Sequence, residues 1–235
     1  MILLSGLNKT VQMIGDKEIN YFFFVMIRYD VNELFPTPII EIEVEENTDE
    51  LKFVKNFPST IDENNTYQGL TSKNLRVLEK YPYIRDLLLS KFNYIAENYL
   101  KYKRKKYIIT TSWITKTLKG GYSHNHRHRN SFWSGVYYFQ DEYEDGTAEL
   151  CFSNPNEQLS DVTFEENDIK EDVIVNSNSA FFNPQPKLLL LFPSYLSHQI
   201  LHHSINTERL SLAFNIMPNG QWGESDSAIN INWFK

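Results

Sequence analysis

The hydrophobic pattern divides the chain into a front part that predicts helices and a rear part that predicts strands. Residues 39–45 alternate apolar and acidic side chains, as a half-buried strand does. Residues 48–56 predict a short helix. Apolar residues recur at helical spacing over 74–100, where Pro82 marks either a break or the start of a second helix. We therefore expect a helical layer over about residues 46–106.

From residue 107 onward the pattern predicts strands throughout. Short apolar or alternating runs are separated by Gly, Asn and Pro, which is typical of an antiparallel sandwich or barrel. The predicted strands are 107–115, 121–128, 132–140, 147–153, 172–176, 179–183, 187–192, 198–203, 208–217 and 228–234. The predicted fold class is therefore mostly β with N-terminal helices, and the β part covers about residues 107–235.

The domain prediction is a single domain over residues 29–235 that follows an N-terminal extension over residues 1–28. Residues 1–25 show neither periodicity nor helix caps. Two explanations stay open for them: a poorly ordered extension, or a translation start that lies at Met26 instead.

Composition narrows the function classes. A net charge of −7 argues against broad electrostatic binding to nucleic acid or to an anionic membrane. The single cysteine, Cys151, excludes an internal disulfide and fits a reducing compartment. The apolar run at 19–27 is too short to span a bilayer. We therefore expect a cytoplasmic protein without a membrane or nucleic-acid partner.

The histidines are unevenly distributed, because all 6 lie within residues 124–128 and 198–203. His124, His126 and His128 alternate, and on a strand such side chains project to one face about 7 Å apart. A metal ion about 2 Å from each ring nitrogen can bridge two of them but hardly three. We therefore expect two metal ligands from this group and one from the distant group.

A second chemical signal is an arginine in the last long predicted strand. Arg209, Ser211 and Ala213 alternate with Leu210, Leu212 and Phe214, so the arginine shares a face with small residues. A buried arginine there needs an anionic partner. By strand geometry it lies about 10 Å from His198 across a hairpin. A short dicarboxylate could span that distance, with one end on the metal and the other on Arg209.

Several of these pieces together resemble the 2-oxoglutarate- and iron(II)-dependent oxygenases, and more narrowly a subfamily common in marine bacteria and phages. The resemblance covers roughly residues 29–218, including the Leu-Phe-Pro-Thr-Pro segment at 34–38. The matching pieces are His126-Arg-His128, Ser134-Gly-Val-Tyr-Tyr138, Leu191-Phe-Pro-Ser194 with His198, Arg209-Leu-Ser211, and Phe214-Asn-Ile216.

The resemblance implies a double-stranded β-helix, also called a jelly roll, with iron(II) as cofactor and 2-oxoglutarate as cosubstrate. His126, His128 and His198 would be the catalytic metal ligands. Arg209 and Ser211 would bind the far carboxylate of 2-oxoglutarate, and we expect Tyr138 among the cosubstrate-binding residues. The common motif of the superfamily is His-x-Asp/Glu, and this chain has His128 in the acidic position.

The implied activity is that of a dioxygenase, which takes O2 and 2-oxoglutarate, hydroxylates an unidentified substrate and releases succinate and CO2. Two alternatives stay open. A cupin-type metal enzyme would work without 2-oxoglutarate, although residues 129–133 lack the glutamate that cupins place there. A metal-free jelly-roll binding or structural module would leave the histidine spacing unexplained. A homodimer is compatible with the sequence.

Overall fold

The computed structural model describes residues 36–45, 69–103, 106–156, 171, 173 and 177–232. The chain divides into two units, Met1–Thr37 and Pro38–Lys235, and every described helix and strand lies in the second. The predicted helix over 48–56 and the predicted domain boundary at residue 28 lie outside the described residues. The same is true of most of the predicted strand 172–176.

The described residues form ten strands, one α-helix and two short 3-10 helices at Val77–Glu79 and Ser225–Ser227. In chain order the elements are β1 (Ile40–Glu43), β2 (Gly69–Thr71), α1 (Pro82–Asn98), β3 (Lys106–Thr117), β4 (Trp133–Tyr137), β5 (Leu150–Ser153), β6 (Ser179–Phe182), β7 (Leu188–Pro193), β8 (His198–Ile200), β9 (Arg209–Trp222) and β10 (Ile229–Ile231).

Helix α1 begins at Pro82, so the proline starts a helix rather than interrupting one. Ile84, Leu88 and Phe92 are buried at a spacing of four residues, and the Phe92 ring lies edge-on to Tyr107 at 5.0 Å. In the described part of the predicted helical layer, α1 is the single α-helix, and the unpredicted strand β2 pairs with β3.

No helix in the described ranges is both long and apolar enough to cross a membrane.

The strands form two antiparallel sheets. The larger sheet has seven strands in the order β1-β7-β4-β9-β3-β2, with β10 also paired to β9. The smaller sheet has three strands in the order β6-β5-β8. The pairing of β3 with β9 is the longest, running from Lys106 opposite Asn219 to Thr117 opposite Arg209.

The larger sheet is buried on both faces, because alternate residues of its central strands enter two different hydrophobic clusters. On β7, Leu189 and Leu191 pack in the cluster that contains α1, whereas Leu190 and Phe192 pack in a second cluster with β5 residues. This explains why 188–192 reads as a continuous apolar run. The side chains of β9 alternate between the two clusters in the same way. The face of β9 that packs in the second cluster also carries the polar residues of the site.

One predicted strand is wrong: residues 121–128 form no regular strand, only an isolated bridge between His126 and His198. The backbone N–H of Ser123 donates to Ile200 O at 3.0 Å and that of His126 to His198 O at 2.9 Å. Between these two hydrogen bonds the histidine segment advances by three residues and β8 by only two. This mismatch, as in a β-bulge, interrupts a regular ladder of hydrogen bonds.

Candidate functional site

Three of the predicted site residues converge at one end of β8. His198 is the first residue of β8, and His126 and His128 come from the irregular segment beside it. One ring nitrogen from each of the three lies within 4.8 Å of the others, a grouping that could hold a metal ion. His198 is buried, His128 is half-buried and His126 is exposed, so the cluster opens to solvent on the His126 side.

The Nδ1 atom of each of these three histidines already makes a hydrogen bond within the protein. Nδ1 of His126 lies 2.8 Å from the backbone oxygen of His124, and Nδ1 of His198 lies 2.9 Å from that of Leu196. A carbonyl oxygen only accepts, so both nitrogens must carry the proton. Nδ1 of His128 lies 2.7 Å from Oδ1 of Asn215 and donates to it. All three rings therefore present an unprotonated Nε2, the form that binds metal.

The spacing of these free nitrogens fits an ion. Nε2 of His126 and Nε2 of His128 are 3.3 Å apart, so two lone pairs face each other with no proton between them. Two nitrogens each about 2.1 Å from one ion, at a right angle, would be about 3 Å apart. The three residues therefore fit a divalent cation on their Nε2 atoms.

Burial favours the neutral imidazoles that such an ion needs. Burial is the largest cause that lowers the pKa of His198 to about 3; the Leu196 carbonyl opposes it, and the neighbouring His126 and His128 act in the same direction as burial. Burial also lowers the pKa of His128, although the hydrogen bond to Asn215 opposes this.

The other three histidines lie outside this cluster. His124 and His202 are exposed. His203 is fully buried, where its Nδ1 accepts from the N–H of Ala148 at 3.2 Å and its Nε2 donates to Thr207 O at 2.7 Å. Both ring nitrogens of His203 are thus used in holding the backbone.

Arg209 is fully buried and has no acidic partner among the described residues. Its Nε donates to Ala148 O at 2.8 Å, and its two terminal nitrogens donate to the Tyr138 hydroxyl at 2.9 Å and to Ser211 Oγ at 3.3 Å. All of these acceptors are neutral. A buried guanidinium without a counter-charge is costly, so the surroundings of Arg209 are suited to an anionic ligand.

The hydroxyl groups around Arg209 can each still donate a hydrogen bond to a ligand. Tyr138 and Ser211 accept from the guanidinium, and neither hydroxyl donates to another described group. Thr117, directly opposite Arg209 in the β3–β9 pairing, is 1% exposed, and its Oγ1 has no hydrogen-bond partner among the described residues. Burial raises the pKa of Tyr138, against the lowering effect of Arg209, so this phenol keeps its proton. Donors outnumber acceptors here, as a carboxylate site requires.

The arginine and the histidine cluster are joined by one face of β9. Arg209, Ser211, Ala213 and Asn215 follow at the strand period of two, and Asn215 reaches His128. Trp113, opposite Ala213 on β3, lies with its ring centroid 5.3 Å from that of His128.

Two contributors were not recognised as such in the sequence. Thr117 carries no motif, because its relation to Arg209 depends on the pairing of two strands about ninety residues apart. Asn215 belongs to the Phe-Asn-Ile piece, but nothing in that piece indicates a contact with His128.

Comparison with known proteins finds a family for the part of the chain that carries these residues. A family model described as "Putative 2OG-Fe(II) oxygenase" matches residues 111–215, a range that contains all six predicted site residues. The protein is an oxidoreductase, a 2-oxoglutarate-dependent dioxygenase that uses iron(II). Comparison with curated protein sequences found no significant match.

Several solved structures share the fold. HygX from Streptomyces hygroscopicus, with nickel, 2-oxoglutarate and hygromycin B bound, aligns at a TM-score of 0.53 and 10% identity, over 77% of this chain and 83% of that chain. A 2OG-Fe(II) oxygenase-family oxidoreductase from Burkholderia pseudomallei aligns at 0.53 and 12%, over 76% and 83%. SnoN, a non-heme α-ketoglutarate-dependent epimerase from nogalamycin biosynthesis, aligns at 0.54 and 7%, over 79% and 81%.

Proposed function

We propose that this dioxygenase hydroxylates a substrate R–H in the reaction R–H + 2-oxoglutarate + O2 → R–OH + succinate + CO2. One oxygen atom enters the product and the other enters succinate, and the 2-oxo acid supplies two electrons as it loses CO2. The observation that carries this proposal is the buried Arg209. It lacks a counter-charge and lies on the same strand face as Asn215, which contacts the three-histidine cluster.

In this proposal each predicted residue has one task. His126, His128 and His198 hold iron(II) through Nε2, and iron(II), when bound, supplies the redox chemistry that activates O2. Arg209 forms an ion pair with the far carboxylate of 2-oxoglutarate. The hydroxyl groups of Ser211 and Tyr138 donate hydrogen bonds to the same carboxylate. The half-buried His128 and the buried His198 keep one side of the site away from water.

The comparisons support the same assignment. HygX binds nickel and 2-oxoglutarate on a fold that this chain shares, and this favours 2-oxoglutarate over a cupin-type reaction without it. We also propose that the two packed antiparallel sheets are the halves of a jelly roll. The narrower resemblance to the phage and marine bacterial subfamily, the cytoplasmic location and the homodimer stay predictions.

The test is succinate formation, which needs no knowledge of the primary substrate. The full chain with iron(II), 2-oxoglutarate and ascorbate is expected to release succinate slowly in air. Arg209→Met keeps an unbranched apolar stem in the same buried position but removes the guanidinium and its charge. We expect it to weaken 2-oxoglutarate binding by at least about 30-fold, about 2 kcal/mol, because the bound carboxylate would lose its charged partner.

The matched control is Arg76→Met, which removes an exposed arginine whose ion-pair partner is Glu79. This variant is expected to bind 2-oxoglutarate as the wild type does. Iron(II) binding with no affinity for 2-oxoglutarate would favour the cupin-type reaction. A wild-type chain that binds no metal would contradict both enzymatic assignments.

A further inference from the structure

The third imidazole of the cluster is held differently from the other two. Nδ1 of His126 and of His198 donates to the backbone carbonyl two residues earlier in the chain, an acceptor that no side-chain substitution removes. His128 instead donates to the side chain of Asn215, 87 positions away. Ser134 Oγ also lies 3.1 Å from this nitrogen, so the direction of the Nε2 lone pair depends on side chains rather than on the local backbone, and Asn215 at 2.7 Å is the nearer of the two.

The amide of Asn215 is itself fixed in orientation. Its Nδ2 donates to Thr111 Oγ1 at 2.9 Å, and its Oδ1 accepts from Ser134 Oγ at 2.8 Å. Rotating the amide by half a turn would put its NH2 group against the donating Nδ1 of His128 and lose that hydrogen bond, whereas the two hydroxyls could donate or accept in either orientation. The oxygen is thus held towards His128.

A buried group of hydroxyls extends this support. Ser134 Oγ lies 2.8 Å from Ser194 Oγ, and both serines are fully buried. The backbone oxygen of Ser194 accepts from the N–H of His128 at 3.0 Å. Ring and backbone of His128 are therefore both attached to the same polar group, which joins β3, β4, β9 and the turn after β7.

From this geometry we propose that Asn215 is a positioning residue that makes His128 a neutral third metal ligand. Its carboxamide fixes the Nδ1–H tautomer, as a carboxylate would, but adds no charge. The proposal rests on the proposed function, since it assumes that the histidine cluster holds a metal ion. The proposal implies that the metal site lacks negative charge for two reasons: the third ligand is the neutral His128, and the side chain behind it is the neutral Asn215.

The two substitutions at Asn215 should have opposite effects on the metal. Asn215→Asp keeps the acceptor and places a negative charge behind the imidazole, which makes His128 a stronger donor. Asn215→Leu keeps the volume and removes the acceptor, so the ring loses its orientation. Loss of such a partner typically costs about 10- to 100-fold in metal affinity.

The experiment is an anaerobic titration of the full chain with Co(II), followed by visible absorption, with thermal unfolding of each metal-free variant. We expect Asn215→Leu to weaken Co(II) binding by about 10- to 100-fold and Asn215→Asp to bind more tightly than the wild type. The control is Ser72→Ala. Ser72 is a buried serine that donates to Asn74 O and accepts from the N–H of Ile114, away from the histidines. It should lower the unfolding temperature and leave Co(II) affinity unchanged.

The outcomes separate the two proposals. A wild-type chain that binds no Co(II) overturns the proposed function and this inference together. Wild-type binding with unchanged affinity in Asn215→Leu overturns this inference alone. If Asn215→Leu fails to fold, the near-isosteric Asn215→Asp decides, and affinity no greater than that of the wild type overturns the inference.

Discussion

At the scale of single residues, the site is built from polar groups whose hydrogen-bonding capacity is only partly used inside the protein. The Nε2 atoms of three histidines have no proton and no described donor. Within the described part of the chain, Arg209 has no acidic partner for its charge, and Thr117 has a buried hydroxyl without a hydrogen-bond partner. Such groups are costly in the free protein, and a bound cation and a bound carboxylate would each compensate for part of that cost.

Thr117 gives a prediction that separates stability from binding. Thr117→Val keeps the shape of the side chain and removes the unpaired hydroxyl. We therefore expect the free energy of unfolding of the ligand-free protein to stay the same or rise. The affinity for 2-oxoglutarate should fall by about tenfold, about 1.4 kcal/mol, since a hydrogen bond to a charged group is lost. Chemical denaturation and equilibrium titration measure the two quantities.

Tyr107→Phe is the control for Thr117→Val. Tyr107 is also buried with an unpartnered hydroxyl, but it lies in the cluster that contains α1, away from Arg209. The variant should keep both stability and 2-oxoglutarate affinity. Equal losses of affinity in both variants would show that the effect of Thr117→Val is indirect.

At the scale of elements, the central strands β4 and β9 approach closely because Gly135 lies opposite Phe214. A Cβ built on Gly135 would lie 2.3 Å from Cζ of Phe214, and the flanking ring carbons would be at 2.7 Å. The phenylalanine ring therefore occupies the space above the glycine. This packing aligns β4, which carries Ser134, with β9, which carries Asn215.

Gly135→Ala should consequently destabilise the fold. The added methyl group forces the Phe214 ring or the two strands to shift, and overpacking of this kind costs about 1–3 kcal/mol. Phe214→Leu removes the ring and makes room. The double variant should then lose less stability than the sum of the two single losses. Purely additive free energies of unfolding in denaturant titrations would contradict the proposed contact.

At the scale of the whole molecule, the three proposed ligand positions are brought together by long-range pairing between separate parts of the chain. His126 and His198 are 72 positions apart and are joined by one isolated bridge. An ion bound there would therefore stabilise the folded state relative to the unfolded chain, in which this pairing is lost.

This linkage predicts a metal-dependent unfolding temperature. Free Co(II) at about 100 times its dissociation constant should stabilise the wild type by about 2.7 kcal/mol, and chelation should reverse the effect. His198→Ala should lose this stabilisation, whereas His202→Ala, which changes an exposed histidine, should keep it. A calorimetric shift of equal size in both variants would place the ion elsewhere.

The sequence alone determined those features that depend on residue type and local period. The alternation in 209–214 predicts the two faces of β9, and the structure confirms that Leu210, Leu212 and Phe214 pack in one cluster and Ala213 in the other. The clustering of histidines indicated a metal-binding enzyme, and the family match supports that class. Local period is sufficient here because strand side chains alternate whatever their partners are.

Tertiary structure decided which residues complete the site. Residues 121–128 satisfy the strand pattern, yet their backbone pairs irregularly with β8, and no period within the segment could indicate this. Thr117 and Asn215 acquire their roles only because β3, β9 and the histidine segment meet. Those contacts join residues 87 to 92 positions apart, a separation at which a single sequence carries no information on pairing. Long-range register is set by the packing of both faces of the larger sheet at once, and this is a property of the folded molecule.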